Sequence, residues 1–100
     1  MMVLFILSAA DRYGRFHVTG PDGKAYGPCG SLGPVLPDIA RDYPLDTVIN
    51  FRWDYSKAIS FNDTTLESWL RSTAPARGVK KEDRDKEIDS YRNLHGVHWG

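Results

Sequence analysis

The sequence predicts an α+β domain, an antiparallel sheet of four to five strands with two to three helices packed on it, in the order β-β-(β)-α-β-β-α-α. Alternation is the first sign. Ile49, Phe51 and Trp53 alternate with Asn50, Arg52 and Asp54, and Phe16 and Val18 alternate with Arg15, His17 and Thr19, as in half-buried strands. Helical spacing is the second, because Leu66, Trp69 and Leu70 fall at i, i+3 and i+4. The third is punctuation: Gly-Pro clusters and short polar turns separate the periodic segments.

Residues Val3 to Leu7 are apolar throughout, which marks a central strand covered on both faces. Ala10 to Gly14 forms a turn into a second strand, Arg15 to Thr19, and Gly20-Pro21-Asp22-Gly23 is a strong turn signal ahead of a short edge strand at Lys24 to Tyr26. The stretch Gly27 to Pro34 is too rich in Gly and Pro for regular structure, whereas Leu36, Ile39, Ala40 and Tyr43 have helical spacing up to the stop at Pro44. The strand at 49–53 turns through Asp54 to Lys57 into a partner at Ala58 to Phe61. Thr64-Thr65-Leu66-Glu67 reads as a capping box, with Thr64 as the N-cap of the next helix. A linker, Ala74 to Gly78, leads to a charged helix over Lys80 to Asn93, whose thin apolar stripe is Ile88, Tyr91 and either Leu94 or His95. Residues 95–100 read as a frayed tail.

One hundred residues with 41% apolar composition suit a single domain, which buries roughly 65% of its unfolded surface. Acidic and basic residues number 13 each and balance locally, so no segment forms a phosphate-binding stripe and direct nucleic-acid binding is not expected. The start, MMVLFILSAADRYG, lacks the basic region of a secretory signal and reads as a strand, and no run approaches the ~20 apolar residues of a membrane span. The lone Cys29 cannot close an internal disulfide, which fits a reducing, cytoplasmic location.

Candidate chemistry is sparse. Cys29, between glycines and ahead of a helix, could act as a thiolate with His17 as its base in an enzyme or ligand-binding domain built on Gly27 to Pro34, yet no nucleophile motif surrounds it and a small loop residue is the simpler reading. His95 and His98 could join His17 or Cys29 at a metal, but two histidines in a tail ordinarily bind nothing, and no metal or cofactor is expected. Gly27, Gly30 and Gly33 match neither familiar phosphate motif and read as turn formers. Asp38, Asp42, Asp46, Asp54, Asp63 and Glu67 sit at caps, turns and helix faces, with no pair set apart for acid–base work. Catalytic residues are therefore not expected.

The informative feature is an imbalance in the sheet. The outward positions Arg15, His17, Asn50 and Arg52 share their side with Leu4 and Ile6. Either the helix at 34–43 covers that side, the ordinary arrangement, or a partner does. With Tyr13, Tyr26 and Tyr55, residue types that anchor interfaces, those four polar residues make the expected partner-binding set.

Leu66-Glu67-Ser68-Trp69, behind a capped start and ahead of a Pro/Gly linker and a charged final helix, is similar to the C-terminal half of small phage anti-CRISPR proteins that inhibit type I surveillance complexes. The first twenty-three residues share that rhythm through Leu7-Ser8-Ala9-Ala10 and Gly23, while residues 27–45 have no counterpart. The target-engaging tyrosines of that family correspond to Ile6 and Gly20, so its binding residues do not carry over. The resemblance implies a small non-catalytic inhibitor, phage-encoded, that occludes a surface of a larger protein or nucleoprotein complex in the host cytoplasm. The alternatives are the Cys29 enzyme above and a structural subunit of a phage assembly.

Overall fold

A computed structural model of the protein describes residues 2–54 and 64–95. The chain is α+β, with five strands in one sheet among the described residues: β1 (Met2–Leu7), β2 (Phe16–Thr19), β3 (Ala25–Cys29), β4 (Val48–Trp53) and β5 (Thr64–Thr65). Its helices are α1 (Leu36–Asp42), α2 (Leu66–Thr73) and α3 (Arg84–Leu94), with single 3-10 turns at Gly33–Val35, Pro75–Arg77 and Lys81–Asp83. The element order follows the local patterns. The expected hairpin arm at Ala58 to Phe61, its turn through Lys57 and residues 96–100 of the tail lie outside the described residues.

The sheet is mixed rather than antiparallel. Its order is β3-β2-β1-β4-β5, and β1 pairs parallel with β4 over its full length, from Met2 beside Val48 to Leu7 beside Trp53. The other pairings are antiparallel. Alternation assigns residues to faces but says nothing about strand direction, so the expectation of an antiparallel sheet had no local signal against it. The register aligns Val3, Phe5 and Leu7 with Ile49, Phe51 and Trp53 on one face, and Leu4 and Ile6 with Asn50 and Arg52 on the other.

The first of these faces carries the core. Phe5, Ile49 and Phe51 are fully buried together with Leu36 and Ile39 of α1, Leu66 and Leu70 of α2, and Ile88 of α3. Phe5 stacks at a tilt on Phe51 at 5.7 Å and meets Tyr43 edge-on at 5.5 Å, while Trp69 meets Phe51 edge-on at 5.2 Å. At Gly20 a β-carbon would come within 3.1 Å of the Phe5 ring, so any larger residue there would have to displace that ring by a few tenths of an ångström. Because α1 lies on the Phe5 face, none of the described helices lies over Leu4 and half-buried Ile6. The expected two-sided burial of β1 is thus corrected: Leu4 is 37% and Met2 64% exposed.

The cap of α2 sits one residue later than the motif implies. Thr65, not Thr64, is the N-cap, its hydroxyl accepting from the Ser68 N–H at 3.2 Å. Thr64 is engaged in β5 opposite Ile49, and the Leu66 and Glu67 N–H groups donate to the carbonyls of Thr47 and Leu45 at 2.9 and 3.1 Å. Three amides of the first helical turn are thereby satisfied.

The Ala74 to Gly78 segment is a structured joint. Arg77, with its side chain only 8% exposed, donates to the Leu70 carbonyl at 2.8 Å, to Thr73 Oγ1 at 3.2 Å and to both carboxylate oxygens of Glu87 on α3, one of them at 2.9 Å. The guanidinium closes the end of α2 and fastens α3 to it. Among the apolar positions of α3, Ile88 is buried and Leu94 is exposed, while the ring Nε2 of half-buried His95 lies 2.5 Å from the Ala40 carbonyl oxygen. The α3 stripe therefore ends on His95.

Arg77→Ala is expected to cost about 3–5 kcal/mol by leaving the largely buried Glu87 unpaired, whereas replacing the pair by two methionines should cost less, the remaining loss being the bonds to the Leu70 carbonyl and Thr73. Urea denaturation of both variants measures the difference. Thr65→Ala should lower stability by about 0.5–2 kcal/mol, and Thr64→Ala by clearly less, because only the former removes the cap.

Candidate functional site

The strand register builds the outer face row by row. Met2 lies beside Val48, Leu4 beside Asn50, and Ile6 between Thr19 of β2 and Arg52 of β4. Beyond the end of β1, the Ser8 N–H donates to the His17 carbonyl at 2.9 Å and Ser8 Oγ accepts from the His17 N–H at 2.9 Å, which places exposed His17 on the next row. Apolar groups thus occupy the middle of the face and Arg52 and His17 its upper end. Four of the expected partner-binding residues come together here: Asn50, Arg52 and His17 on the strands, and Arg15 one step before β2, in phase with His17.

Tyr13 belongs with them. It is 66% exposed at the tip of the β1–β2 connection, with the guanidinium carbons of Arg12 and Arg15 at 4.9 and 5.3 Å from its ring centre, both within cation–π range. The tip is held by Asp11. One carboxylate oxygen accepts from the Tyr13 N–H at 2.8 Å and the Arg15 N–H at 3.0 Å, while the Asp11 carbonyl accepts from Gly14 at 3.0 Å. Sequence reading missed Asp11, although Asp at the first and Gly at the fourth position of a turn is a familiar pattern. The bond from the Arg15 N–H holds the Asp11 carboxyl below its ordinary value, against a smaller opposing effect of desolvation, with further help from the Tyr13 N–H and the Arg15 charge.

Tyr26 does not belong to this surface. It is buried on the helix side, where its hydroxyl donates to Asp42 at 2.6 Å, alongside Lys24 at 2.6 Å, and burial followed by the bond to Asp42 pushes the phenol far above its ordinary value. The reason is register: Tyr26 pairs with the fully buried Val18 and therefore points inward. Tyr55 lies outside the described residues.

A groove of about 270 Å³ runs between β3 and α1, lined by Lys24, Tyr26, Gly27, Asp38, Arg41 and Asp42. Its charges are matched internally, Lys24 with Asp42 and Arg41 with Asp38 at 2.8 Å, so it reads as a brace between strand and helix. Cys29 and His17 occupy opposite faces, since Cys29 pairs with inward-facing Phe16 while His17 faces out. Burial raises the Cys29 thiol, and its Sγ–H donates to the Phe16 carbonyl at 3.5 Å. Gly27 lies inside β3 at φ +106°, where a β-carbon would crowd the Phe16 carbonyl at 3.1 Å, and Gly33 opens the turn before α1, so the glycines serve separate elements. Among the described residues no three His, Cys, Asp or Glu side chains cluster as metal ligands, and no helix is long and apolar enough to cross a membrane. Comparison with protein-family models, with curated proteins and with solved structures found no match to this chain.

A depressed carboxylate pKa contributes order that is present above the ordinary value of 3.8 and lost as pH falls through the lowered value. The Tyr13 and Arg15 amide resonances should therefore shift together with the Asp11 carboxyl below pH 3.8. In Asp11→Ala the same two amides should already resemble the acid form at neutral pH, while Asp11→Asn, which keeps an acceptor oxygen, should resemble the parent.

Proposed function

We propose that this protein is a non-catalytic binding module that docks the outer face of its sheet on a larger protein or nucleoprotein complex. The observation that carries this reading is the register of Leu4 and Ile6 beside Asn50 and Arg52, on a face that none of the described helices covers. An apolar centre bordered by arginine and histidine has the composition of an interface with a desolvated core and a polar rim. Several charged groups elsewhere have internal partners: Arg77 holds Glu87, Lys24 holds Asp42, and Glu67 joins Arg71 to Arg92 across α2 and α3. On the outer face Arg52 stands beside apolar Ile6, and Arg15 makes a loose, exposed contact with Asp11.

The resemblance around Leu66-Glu67-Ser68-Trp69 supplies the specific form of the reading. The partner is a type I surveillance complex in the host cytoplasm, and docking inhibits it by covering a working surface. The inhibitor is then phage-encoded and requires neither cofactor nor metal.

Titrating the protein into a purified, guide-loaded type I complex while following its binding to target DNA tests this reading. Inhibition with co-elution is expected. Ile6→Asp, and separately Arg15→Ala combined with Arg52→Ala, should leave the denaturation midpoint close to that of the parent and weaken binding at least about 30-fold, the scale of a lost hot spot. Absence of co-elution and of inhibition would sink the surveillance-complex reading. Full binding by the folded double variant would remove the sheet face from it. Self-association of the free chain in a sizing experiment would favour a structural subunit.

A further inference from the structure

The sheet face is too small to be the whole interface. A strand of six residues at ~3.3 Å each, across four strand spacings of ~4.8 Å, presents ~400 Å². A stable specific interface takes about 800 Å² from each partner. The remainder must come from a rim. One end of the sheet carries a rim already organised for contact, the connection from Ser8 to Arg15.

Tyr13 stands there two-thirds exposed, with the guanidiniums of Arg12 and Arg15 against its ring. The backbone beneath it is fixed by the Asp11 carboxylate, which accepts from the amides on either side of Gly14. A tyrosine adds contact area at a small conformational-entropy cost, and a guanidinium laid against a ring keeps its in-plane N–H donors for a bidentate acceptor. Arg15 already holds a loose intramolecular carboxylate, with Nε 3.7 Å from Asp11 Oδ2 and both side chains about half exposed. An exposed pair at that distance is worth little, so an incoming carboxylate can take its place.

We propose that the Arg12–Tyr13–Arg15 stack is the anchor of the interface and receives a carboxylate-bearing segment of a protein partner. The inference rests on the binding-module reading and names the chemistry that the partner must present. A protein is favoured over a nucleic-acid strand by the distribution of charge. Among the described residues, Arg12, Arg15 and His17 surround the Asp11 carboxylate at the stack, in a chain of net charge zero. A phosphate backbone calls for a continuous basic stripe. Two guanidiniums fixed on one ring suit discrete carboxylates.

The test needs no surveillance complex. The uniformly ¹⁵N-labelled protein is titrated with a terminally blocked hexaglutamate peptide, with hexaglutamine of the same length, and with a short oligothymidylate. Hexaglutamate should move the amides of residues 12–17 selectively, hexaglutamine should not, and raising the salt from about 0.05 to about 0.5 M should abolish most of the response. Arg12→Ala with Arg15→Ala should weaken the hexaglutamate response at least about tenfold while the amides of the core strands stay in place, and Tyr13→Ala should weaken it as well. If the double arginine variant loses its fold, Arg12→Gln alone serves, since its side chain makes no ion pair among the described residues. An equal response to hexaglutamine, or shifts elsewhere on the surface, would overturn the proposal. Tighter binding of oligothymidylate to the same residues would overturn it in favour of base stacking. A surveillance complex that binds the parent and the Arg12→Gln variant alike removes this anchor and leaves the sheet-face reading standing. A selective hexaglutamate response from a protein that ignores the complex supports the anchor and removes only the target.

Discussion

The parallel pairing of β1 with β4 is the constraint from which the remaining architecture follows. Two parallel neighbours cannot be joined by a tight turn, and here the connection contains β2, β3 and α1 before the chain returns as β4. Phe5 and Phe51 meet in the middle of that ladder. Tyr26, Tyr43 and Trp69 then gather around the two rings, from the edge strand, the end of α1 and the face of α2 respectively. Every described helix is drawn to the phenylalanine side, and none of them lies over the opposite side of the same two strands. A one-sided sheet is thus the cause of the candidate surface.

What could be read in the sequence depended on the range of the interaction that sets it. The strand at 49–53 and the stripe of α2 are written in neighbouring residues, and their positions follow from period alone. The partner of β1 is not, because a run such as Val3 to Leu7 pairs equally well in either direction. That run also misleads about burial, since Leu4 is apolar yet 37% exposed and Ile6 is only half-buried. Tyr26 gave an exposed reading because the pairing that turns it inward, with Val18, crosses a bulge in the β2–β3 ladder. Arg77 looked like linker composition, and only the distant Glu87 shows it to be a joint. On the candidate surface, the shared side of Leu4, Ile6, Asn50 and Arg52 followed from alternation and agrees with the register. The contribution of Asp11 needed the folded turn.

The charged side chains divide into two populations with different physical tasks. Arg77 is held by Leu70, Thr73 and Glu87, and Asp42 by Lys24 and Tyr26, and these bonds fix the relation of helix to helix and strand to helix. Removing one of them exposes the cost of an unpaired neighbour. Arg12 and Arg15 rest against a tyrosine on a short loop, and their withdrawal leaves no buried group uncompensated. This division separates stability from recognition along the chain. The groove between β3 and α1, the more obvious concavity, falls in the first population and the flatter sheet face in the second.

One consequence of the parallel ladder concerns how such a surface can change over generations. Core and outer residues alternate along the same six positions of β1 and of β4, so point substitutions at every second codon can alter the outer face while Val3, Phe5, Leu7, Ile49 and Phe51 stay as they are. Insertion or loss of a single codon within either strand would exchange the two sets, turning the phenylalanines outward and the arginine inward. The permitted route to a new specificity is therefore by substitution in place, with strand length held fixed, and the drift expected among descendants of this chain is a patchwork of alternating variable and constant positions.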